Sequence, residues 1–126
     1  MASSTITYGI PVALHDLIPS SPLFVQGNSL RVIGKLRTYD VESAIAVIID
    51  NNVTLQIDTQ NLRDVNFHVG SIYQFIGELH IHYDNNMLLQ ARIGRNVNGV
   101  DLKLYFQSLK LLQQFESQRG IRGNDT

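Results

Sequence analysis

Hydrophobic residues between positions 100 and 115 fall on two separate faces of a predicted helix. Placing residues about 100° apart around the axis groups Leu102, Tyr105, Phe106, Leu109 and Leu112 on a first face. A second face, nearly opposite, holds Val100, Leu104, Leu111 and Phe115. A surface helix of one small domain needs a single apolar stripe. The second face therefore predicts a protein partner, because large exposed apolar patches usually mark binding surfaces.

Upstream of the helix, the pattern predicts five β-strands bounded by turn residues. The predicted segments are 30–37, 44–49, 54–59, 71–82 and 87–96. Gly34 and Gly77 fall inside the two kinked strands, where glycine marks a bend or bulge that lets one strand serve two sheets. This arrangement predicts an all-β fold with a terminal helix, namely a five-stranded Greek-key OB-fold barrel plus a C-terminal α-helix.

The chain divides into three predicted parts. These are an irregular N-terminal arm over 1–28, an OB-fold domain over 29–118 with its helix at about 100–117, and a flexible tail over 119–126. The arm is rich in Ser, Pro and Gly, and the tail is polar and contains two glycines. Asn98 is the predicted helix cap, with Asp101 three residues on to complete a box-like pair.

Composition and charge narrow the class of protein. The chain has 126 residues, 44% of them hydrophobic, which suits one globular domain with a real core. A net charge of −1 argues against strong autonomous binding to nucleic acid, which requires clustered Lys and Arg. The apolar runs are too short to span a membrane, and the N-terminus lacks a signal-peptide pattern. We therefore expect a soluble intracellular protein without a membrane partner.

Groups suited to catalysis or metal binding are sparse. His80 and His82 point the same way on a strand and share that face with Glu78, but a solvated barrel surface is the simpler interpretation. The chain contains no cysteine, which excludes a disulfide scaffold and a thiolate metal site. No nucleophile elbow or phosphate-binding loop occurs. The sequence predicts no catalytic residue, no metal site, no cofactor and no enzymatic activity.

Basic and aromatic residues on the strands are candidates for weak direct contact with nucleic acid, since OB-folds bind single strands through such side chains. The candidates are Lys35, Arg37, Tyr39, Arg92 and Arg95. Lys35, Arg37 and Tyr39 lie at even spacings from Arg31 on the first strand and so share one side of it. They can equally form the solvated outer face of that strand. Tyr73 and Phe75 also share a face, and such a pair more often fills a barrel than stacks on a base.

Ordered blocks of the sequence resemble the smallest, Ten-type subunit of the CST telomere complex, a family similar to the small subunit of replication protein A. The block SLRVIGKL at 29–36, followed by Tyr39-Asp40, resembles that family's first strand. Blocks at 69–73 and 76–79 resemble its fourth strand, and blocks at 90–92 and 98–102 resemble its fifth strand and the start of its helix. Residues 61–65 resemble the plant version.

This resemblance implies a non-catalytic subunit that pairs, largely helix against helix, with the middle OB-fold subunit of the complex. It implies a large subunit that grips single-stranded telomeric DNA, and a complex that promotes end protection and fill-in synthesis with DNA polymerase alpha–primase. The implied location is the nucleus, at the telomeric region of chromosomes. By position, Arg31 and Arg119 match basic residues at the family's partner contact. The predicted partner interface is Arg31, Val100, Leu104, Leu111, Phe115 and Arg119.

The sequence leaves two alternative functions, and one alternative in which the second helix face is covered within the same chain. A stand-alone OB-fold that binds single-stranded nucleic acid is the second function, and a salt-dependent affinity for an oligonucleotide would favour it. A small-ligand or chaperone-like barrel is the third, although no polar pocket constellation marks it. The N-terminal arm, through Leu14, Leu17, Leu23 and Phe24, can also fold over the second helix face within the same chain.

Overall fold

A computed structural model describes the backbone of residues 9–125 and the side chains of residues 9–115. Within these residues the strands are β1 (Ile10–Pro11), β2 (Ser29–Asp40), β3 (Ile45–Asp50), β4 (Val53–Asp58), β5 (Ile72–Ile81) and β6 (Met87–Asn96), and the helix is α1 (Leu102–Asp125). Short 3₁₀ turns lie at Leu14–Asp16 and Gln60–Leu62. In this part of the chain, no helix combines the length and apolar character needed to cross a membrane.

Five of the strands close a barrel. Hydrogen-bonded neighbours follow the order β2-β3-β4-β6-β5, and β5 pairs again with β2. Closure depends on β2, because its first half pairs with β5 and its second half pairs with β3. The β4–β6 pair is parallel, whereas the other pairs of the ring are antiparallel. This topology confirms the predicted five-stranded OB-fold barrel followed by a helix.

Two register shifts bend the long strands. One follows Leu36 in β2, two residues beyond the bend predicted at Gly34. The other lies in the β5–β6 pair at the predicted Gly77, where β6 contributes the extra residue, Arg92. Gly77 is needed there because β6 passes very close to it. A Cβ on Gly77 would lie 2.7 Å from the Cα of Ala91, which is closer than real side chains come to a backbone.

The barrel is filled by one set of apolar residues, which we call the interior cluster. It comprises Val12, Leu14, Leu17, Leu30, Val32, Leu36, Ala46, Ile48, Leu55, Ile57, Leu62, Tyr73, Phe75, Leu79, Leu89 and Ala91. Phe67 packs on two of these rings, at centroid distances of 5.3 Å to Tyr73 and 5.9 Å to Phe75. Tyr73 and Phe75 are 1% and 0% exposed. The prediction that they fill the barrel is confirmed, and neither ring is accessible to a nucleobase.

Within the predicted N-terminal arm, residues 10–17 are built into the barrel. Ile10 pairs with Leu30 in a parallel ladder, and the Val12 N–H donates to the Arg31 carbonyl at 3.1 Å. The first half of β2 meets β5 on one edge only, and β1 supplies hydrogen bonds on the other edge. Leu14 and its neighbours then enter the interior cluster. Residues 1–8 of the arm lie outside the described residues.

The start of α1 differs from its prediction. Asp101, not Asn98, is the N-cap, because its Oδ1 accepts a hydrogen bond from the Leu104 N–H at 3.0 Å. Asn98 ties the linker to β5 instead, with its Oδ1 accepting from the Ile72 N–H at 2.7 Å. The Asn98 side chain is therefore hydrogen-bonded to a residue 26 positions away in sequence. Local capping rules do not anticipate such a contact.

The end of α1 also differs from its prediction. The helical backbone continues to Asp125, past the predicted end near 117 and through most of the stretch 119–126 predicted as a tail. A glycine costs a helix only about 1 kcal/mol relative to alanine, so Gly120 and Gly123 need not end it. Thr126 lies outside the described residues.

We expect Gly77→Ala to lower the free energy of unfolding by about 3 kcal/mol. The added methyl group meets the main chain of β6, which cannot move aside without disturbing the β5–β6 ladder. Urea denaturation measures the change. Glu78→Ala, at the exposed neighbouring position, is the control and should stay within about 0.5 kcal/mol of the parent. Equal stability of the two variants would contradict the close approach.

Candidate partner-binding surface

The helix α1 packs on the outside of the barrel through its first face. Ile33 and Ile76 point outward by strand alternation, yet they are only 2% and 9% exposed. Leu109 of α1 is 7% exposed, and none of the three belongs to the interior cluster. Because Ile33 and Ile76 point away from the interior and are still buried, we infer that α1 covers the outer face of β2 and β5.

Tyr105 adds a polar tie to this contact. Burial raises the pKa of Tyr105 above its ordinary value of 10.0, while the Arg31 guanidinium and a hydrogen bond with Gln74 oppose that rise. The hydroxyl is therefore protonated at neutral pH. Gln74 is held in turn by Arg95, whose Nε donates to the Gln74 Oε1 at 3.1 Å. Gln74 and Arg95 are direct partners in the β5–β6 ladder, whereas Arg31 of β2 lies opposite Ile76, two positions along from Gln74.

The second face of α1 is open to solvent. Leu104, Leu111 and Phe115 are 59%, 67% and 56% exposed, and Val100 at the start of the helix is 37% exposed. Leu112, assigned by the sequence pattern to the first face, is 48% exposed and borders the same surface. We call Val100, Leu104, Leu111, Leu112 and Phe115 the outer stripe. An apolar helical stripe of this kind is typical of a protein interface.

The described part of the N-terminal arm does not cover the outer stripe. Leu14 and Leu17 are 1% and 4% exposed within the interior cluster, and Leu23 packs against that cluster from outside. These leucines turn toward the barrel rather than toward the second face of α1. For residues 9–28, the alternative in which the arm covers that face is therefore wrong.

Neither of the two arginines predicted at the partner interface is seen within the outer stripe. Arg31 is half-buried on the barrel side of α1, close to Tyr105. The side chain of Arg119 lies outside the described residues. The structure thus brings Val100, Leu104, Leu111 and Phe115 together and places Arg31 on the opposite, barrel-facing side of the helix.

The nucleic-acid candidates on β2 do not share one face. Lys35 and Arg37 are exposed, as expected. Tyr39 is half-buried, packs against the interior cluster and contacts the ring of Phe67 at 5.0 Å. The shift after Leu36 reverses which positions of β2 point inward, so the parity that grouped Tyr39 with the basic residues ends there.

The two candidates on β6 are already engaged within the protein. The Arg92 Nη2 donates to the Ser29 hydroxyl oxygen at 2.8 Å, which ties β6 to the start of β2. Arg95 is hydrogen-bonded to Gln74. Arg92 and Arg95 are thus tied to neighbouring strands, whereas Lys35 and Arg37 are exposed.

The paired histidines of the sequence do not make a metal centre in the described structure. The His80 ring nitrogens lie 3.2 Å from the Gln26 Nε2 and 3.0 Å from the Gln90 Oε1. His82 lies just beyond the end of β5. Among the residues with described side chains, no group of three or more His, Cys, Asp or Glu is placed to hold a metal ion.

A cavity of about 630 Å³ lies on the other flank of α1. Phe106 and Leu109 line it from the helix, and His15 and Asp50 line it from the barrel. Burial raises the pKa of Asp50 above its ordinary value of 3.8, and the nearby His15 opposes that rise. Ionised Asp50 is therefore less favourable in the folded chain than in the unfolded chain.

We expect Asp101→Ala to destabilise α1 by about 1 kcal/mol, because the Leu104 N–H loses its acceptor. Thermal unfolding followed by circular dichroism at 222 nm measures the loss. Asp101→Asn keeps a capping oxygen and is the matched control. A cap role is contradicted if the alanine and asparagine variants unfold at the same temperature.

We expect Asp50→Asn to raise the melting temperature slightly at pH 7, because asparagine carries no charge that must be desolvated. Protonation of Asp50 favours the folded state, so its contribution is complete below the ordinary pKa and is lost as pH rises through the raised one. The difference between variant and parent should therefore close as pH falls toward 3.8. Calorimetry across this range measures it, and a difference that widens in acid would contradict the burial argument.

The class of protein is defined by a closed five-stranded barrel with one terminal helix. One face of the helix packs on the barrel, and the other face is apolar and exposed. The protein is thus a small OB-fold that carries an exposed apolar helix face. Comparison with known proteins then identifies the family. Residues 5–119 match the Ten1 family, described as "Telomere-capping, CST complex subunit", and the chain therefore belongs to this family of CST complex subunits.

Individual relatives agree with the family match. The chain is 57% identical over 116 residues to "CST complex subunit TEN1" of Arabidopsis thaliana, and the match covers 91% of both chains. It is 26% identical over 98 residues to the Homo sapiens protein of the same name, covering 75% of this chain and 80% of the human one. The resemblance seen in the sequence blocks is confirmed.

A solved structure shows the same fold. The chain is similar to a chain of the "Crystal structure of S. pombe Stn1-ten1 complex", with a TM-score of 0.70 and 18% sequence identity. The match covers 84% of this chain and 92% of that one. At this level of identity the likeness establishes the OB-fold architecture.

Proposed function

We propose that this CST subunit binds the middle OB-fold subunit of its complex through the outer stripe, and that it has no catalytic activity of its own. The exposure of Leu104 and Leu111, on a helix whose opposite face is packed, carries this proposal. A relative with the same fold occurs in a complex with Stn1 in Schizosaccharomyces pombe, which supports a partner of that kind. Arg31 and Arg119 are proposed as additional partner contacts only through their positional match with the family's partner contact, because Arg31 lies near Tyr105 and outside the outer stripe.

Burial of the outer stripe supplies part of the free energy that an interface needs. Burying Leu104, Leu111 and Phe115 contributes about 1.5–3 kcal/mol for each side chain. Association itself costs about 4–15 kcal/mol in lost translational and rotational freedom. Three side chains therefore offset only the lower part of that cost. A tight complex needs the rest of the outer stripe and additional polar contacts.

The wider role that we propose follows from family membership. Within the complex, this subunit supports telomere end protection, binding of single-stranded telomeric DNA by the large subunit, and fill-in synthesis with DNA polymerase alpha–primase. Its place is the nucleus, at chromosome ends. The net charge of −1 favours an indirect role in DNA binding, since a chain that neutralises phosphates needs an excess of basic side chains.

A stand-alone nucleic-acid-binding protein is the weaker alternative. Lys35 and Arg37 are exposed on β2, whereas Arg92 and Arg95 are hydrogen-bonded within the protein to Ser29 and Gln74. Tyr39, the aromatic candidate, packs against the interior cluster. A single strand would therefore meet separate basic positions rather than a continuous basic groove with stacking rings.

We expect Leu111→Asp to weaken binding of the middle subunit at least about 100-fold. The substitution removes apolar burial and places an unpaired charge in the contact, and each tenfold change in Kd corresponds to about 1.4 kcal/mol. Isothermal titration calorimetry with the purified middle subunit measures Kd, and circular dichroism verifies that the variant is folded.

Gln114→Asp is the matched control, because it introduces the same charge on the polar side of the same helix. It should bind within about threefold of the parent, as a rim position does. If folded Leu111→Asp binds the middle subunit as tightly as Gln114→Asp, the outer stripe is not the interface and the proposal fails.

A further inference from the structure

Residues of the outer stripe, together with Ser108, follow a heptad pattern. Leu104 and Leu111 lie seven residues apart, at one position of the heptad. Ser108 and Phe115 also lie seven residues apart, at the position that alternates with the first. Side chains spaced in this way form the seam between two packed α-helices, in which each side chain of one helix inserts among four of the other. The spacing therefore favours a helix as the structure that covers the outer stripe.

Ser108 is the one small side chain in this part of the helix. Every other residue from 102 to 115 is Leu, Lys, Tyr, Phe or Gln. Ser108 is exposed, and two of its neighbours on the helix surface, Leu111 and Leu112, are 67% and 48% exposed. A hole for one side chain of a facing helix is formed by four residues spaced i, i+3, i+4 and i+7, which here are Ser108, Leu111, Leu112 and Phe115. The outer stripe thus contains a depression with a small floor and large apolar walls.

The immediate flanks of this seam carry no charge between residues 104 and 115. Gln107 and Gln114 border it on one side, and Tyr105 and Leu112 border it on the other. In many paired helices, charged residues at these flanking positions decide which partner is accepted. Here the selection is left to the sizes of the side chains, because large residues must face small ones for two helices to interdigitate.

We propose that Ser108 is a specificity-determining residue of the outer stripe, and that the middle OB-fold subunit binds with a helix that inserts one large apolar side chain over it. This inference rests on the proposed function, since it concerns the same surface. It adds the shape and charge of the partner, namely a helix with uncharged flanks whose largest seam residue lies opposite the smallest residue here. A serine that merely interrupts an exposed apolar patch would have no such role.

Ser108→Leu separates these two roles. Leucine favours the helix at least as well as serine and enlarges the apolar surface, so a general hydrophobic patch would bind the partner more tightly. A filled depression would bind it less tightly, because the inserted side chain loses its space. We expect the Kd for the purified middle subunit to rise at least about tenfold, as overpacking of a well-fitted contact does. Isothermal titration calorimetry measures Kd, and circular dichroism verifies that the variant is folded.

Two substitutions are matched controls. Ser108→Ala keeps the side chain small and removes only the hydroxyl group, so it should bind within about threefold of the parent. Gln114→Leu adds a leucine at the rim of the seam instead of its centre, and it should not weaken binding. Light scattering of the three variants verifies that none of them differs from the parent in oligomeric state.

The inserted side chain is identified from the partner. Each large apolar residue on the docking helix of the middle subunit is replaced in turn by alanine. One replacement should weaken binding to the parent and restore binding to the Ser108→Leu protein, because it empties the space that the new leucine fills.

Three results would overturn the inference. Binding of Ser108→Leu as tight as that of the parent, or tighter, would show that no side chain enters the depression. Weaker binding of Ser108→Ala would show that the hydroxyl group matters rather than the space. Failure of every alanine replacement to restore binding would show that Ser108 faces no single large side chain.

Leu111→Asp tests the proposed function separately. If Leu111→Asp abolishes binding while Ser108→Leu leaves Kd unchanged, the outer stripe remains the interface and only the inserted side chain is wrong. If neither substitution changes Kd, the interface lies elsewhere and both proposals fail.

Discussion

The structure depends on one strand, β2, serving both halves of the barrel. Its first half pairs with β5 and β1, and its second half pairs with β3. A strand can turn between two partners in this way only if its register shifts, and the shift after Leu36 reverses the inward-facing positions beyond it. That reversal brings Tyr39 onto Phe67 at the end of the barrel. Before the shift, the outward positions of β2, with Arg31 and Ile33, become the platform for α1.

The platform explains why α1 cannot bury both of its apolar faces. A barrel of this size offers α1 one outer surface, and Leu109, Ile33 and Ile76 fill it. No second described layer lies beyond the helix, so residues such as Leu104 and Leu111 stay in water. The unfavourable hydration of the outer stripe is relieved when another protein covers it. The exposed apolar stripe is thus a consequence of how a small barrel and a helix with two apolar faces fit together, and it is the surface that the proposed partner would cover.

Periodic features of the sequence were sufficient to predict the five barrel strands, the helix and its two faces, because each depends on local alternation or on helical spacing. The features that were missed depend on contacts between distant residues. Asn98 is taken up by Ile72 and so does not cap α1. Tyr39 points toward the interior because of a register shift in β2 that no residue type in the sequence indicates. The pairing of Ile10 with Leu30 depends on an open edge of β2 that exists only after the barrel closes.

The candidate site shows the same division. Side-chain spacing predicted most of the residues that lie on the exposed face, but the polar residues beneath the helix come from different strands, and a single strand's pattern contains no sign of their pairing. One face of α1 is buried because the barrel offers the helix a single outer surface. The other face then stays exposed, and the binding surface made of ordinary leucines is what remains of a helix with two apolar faces.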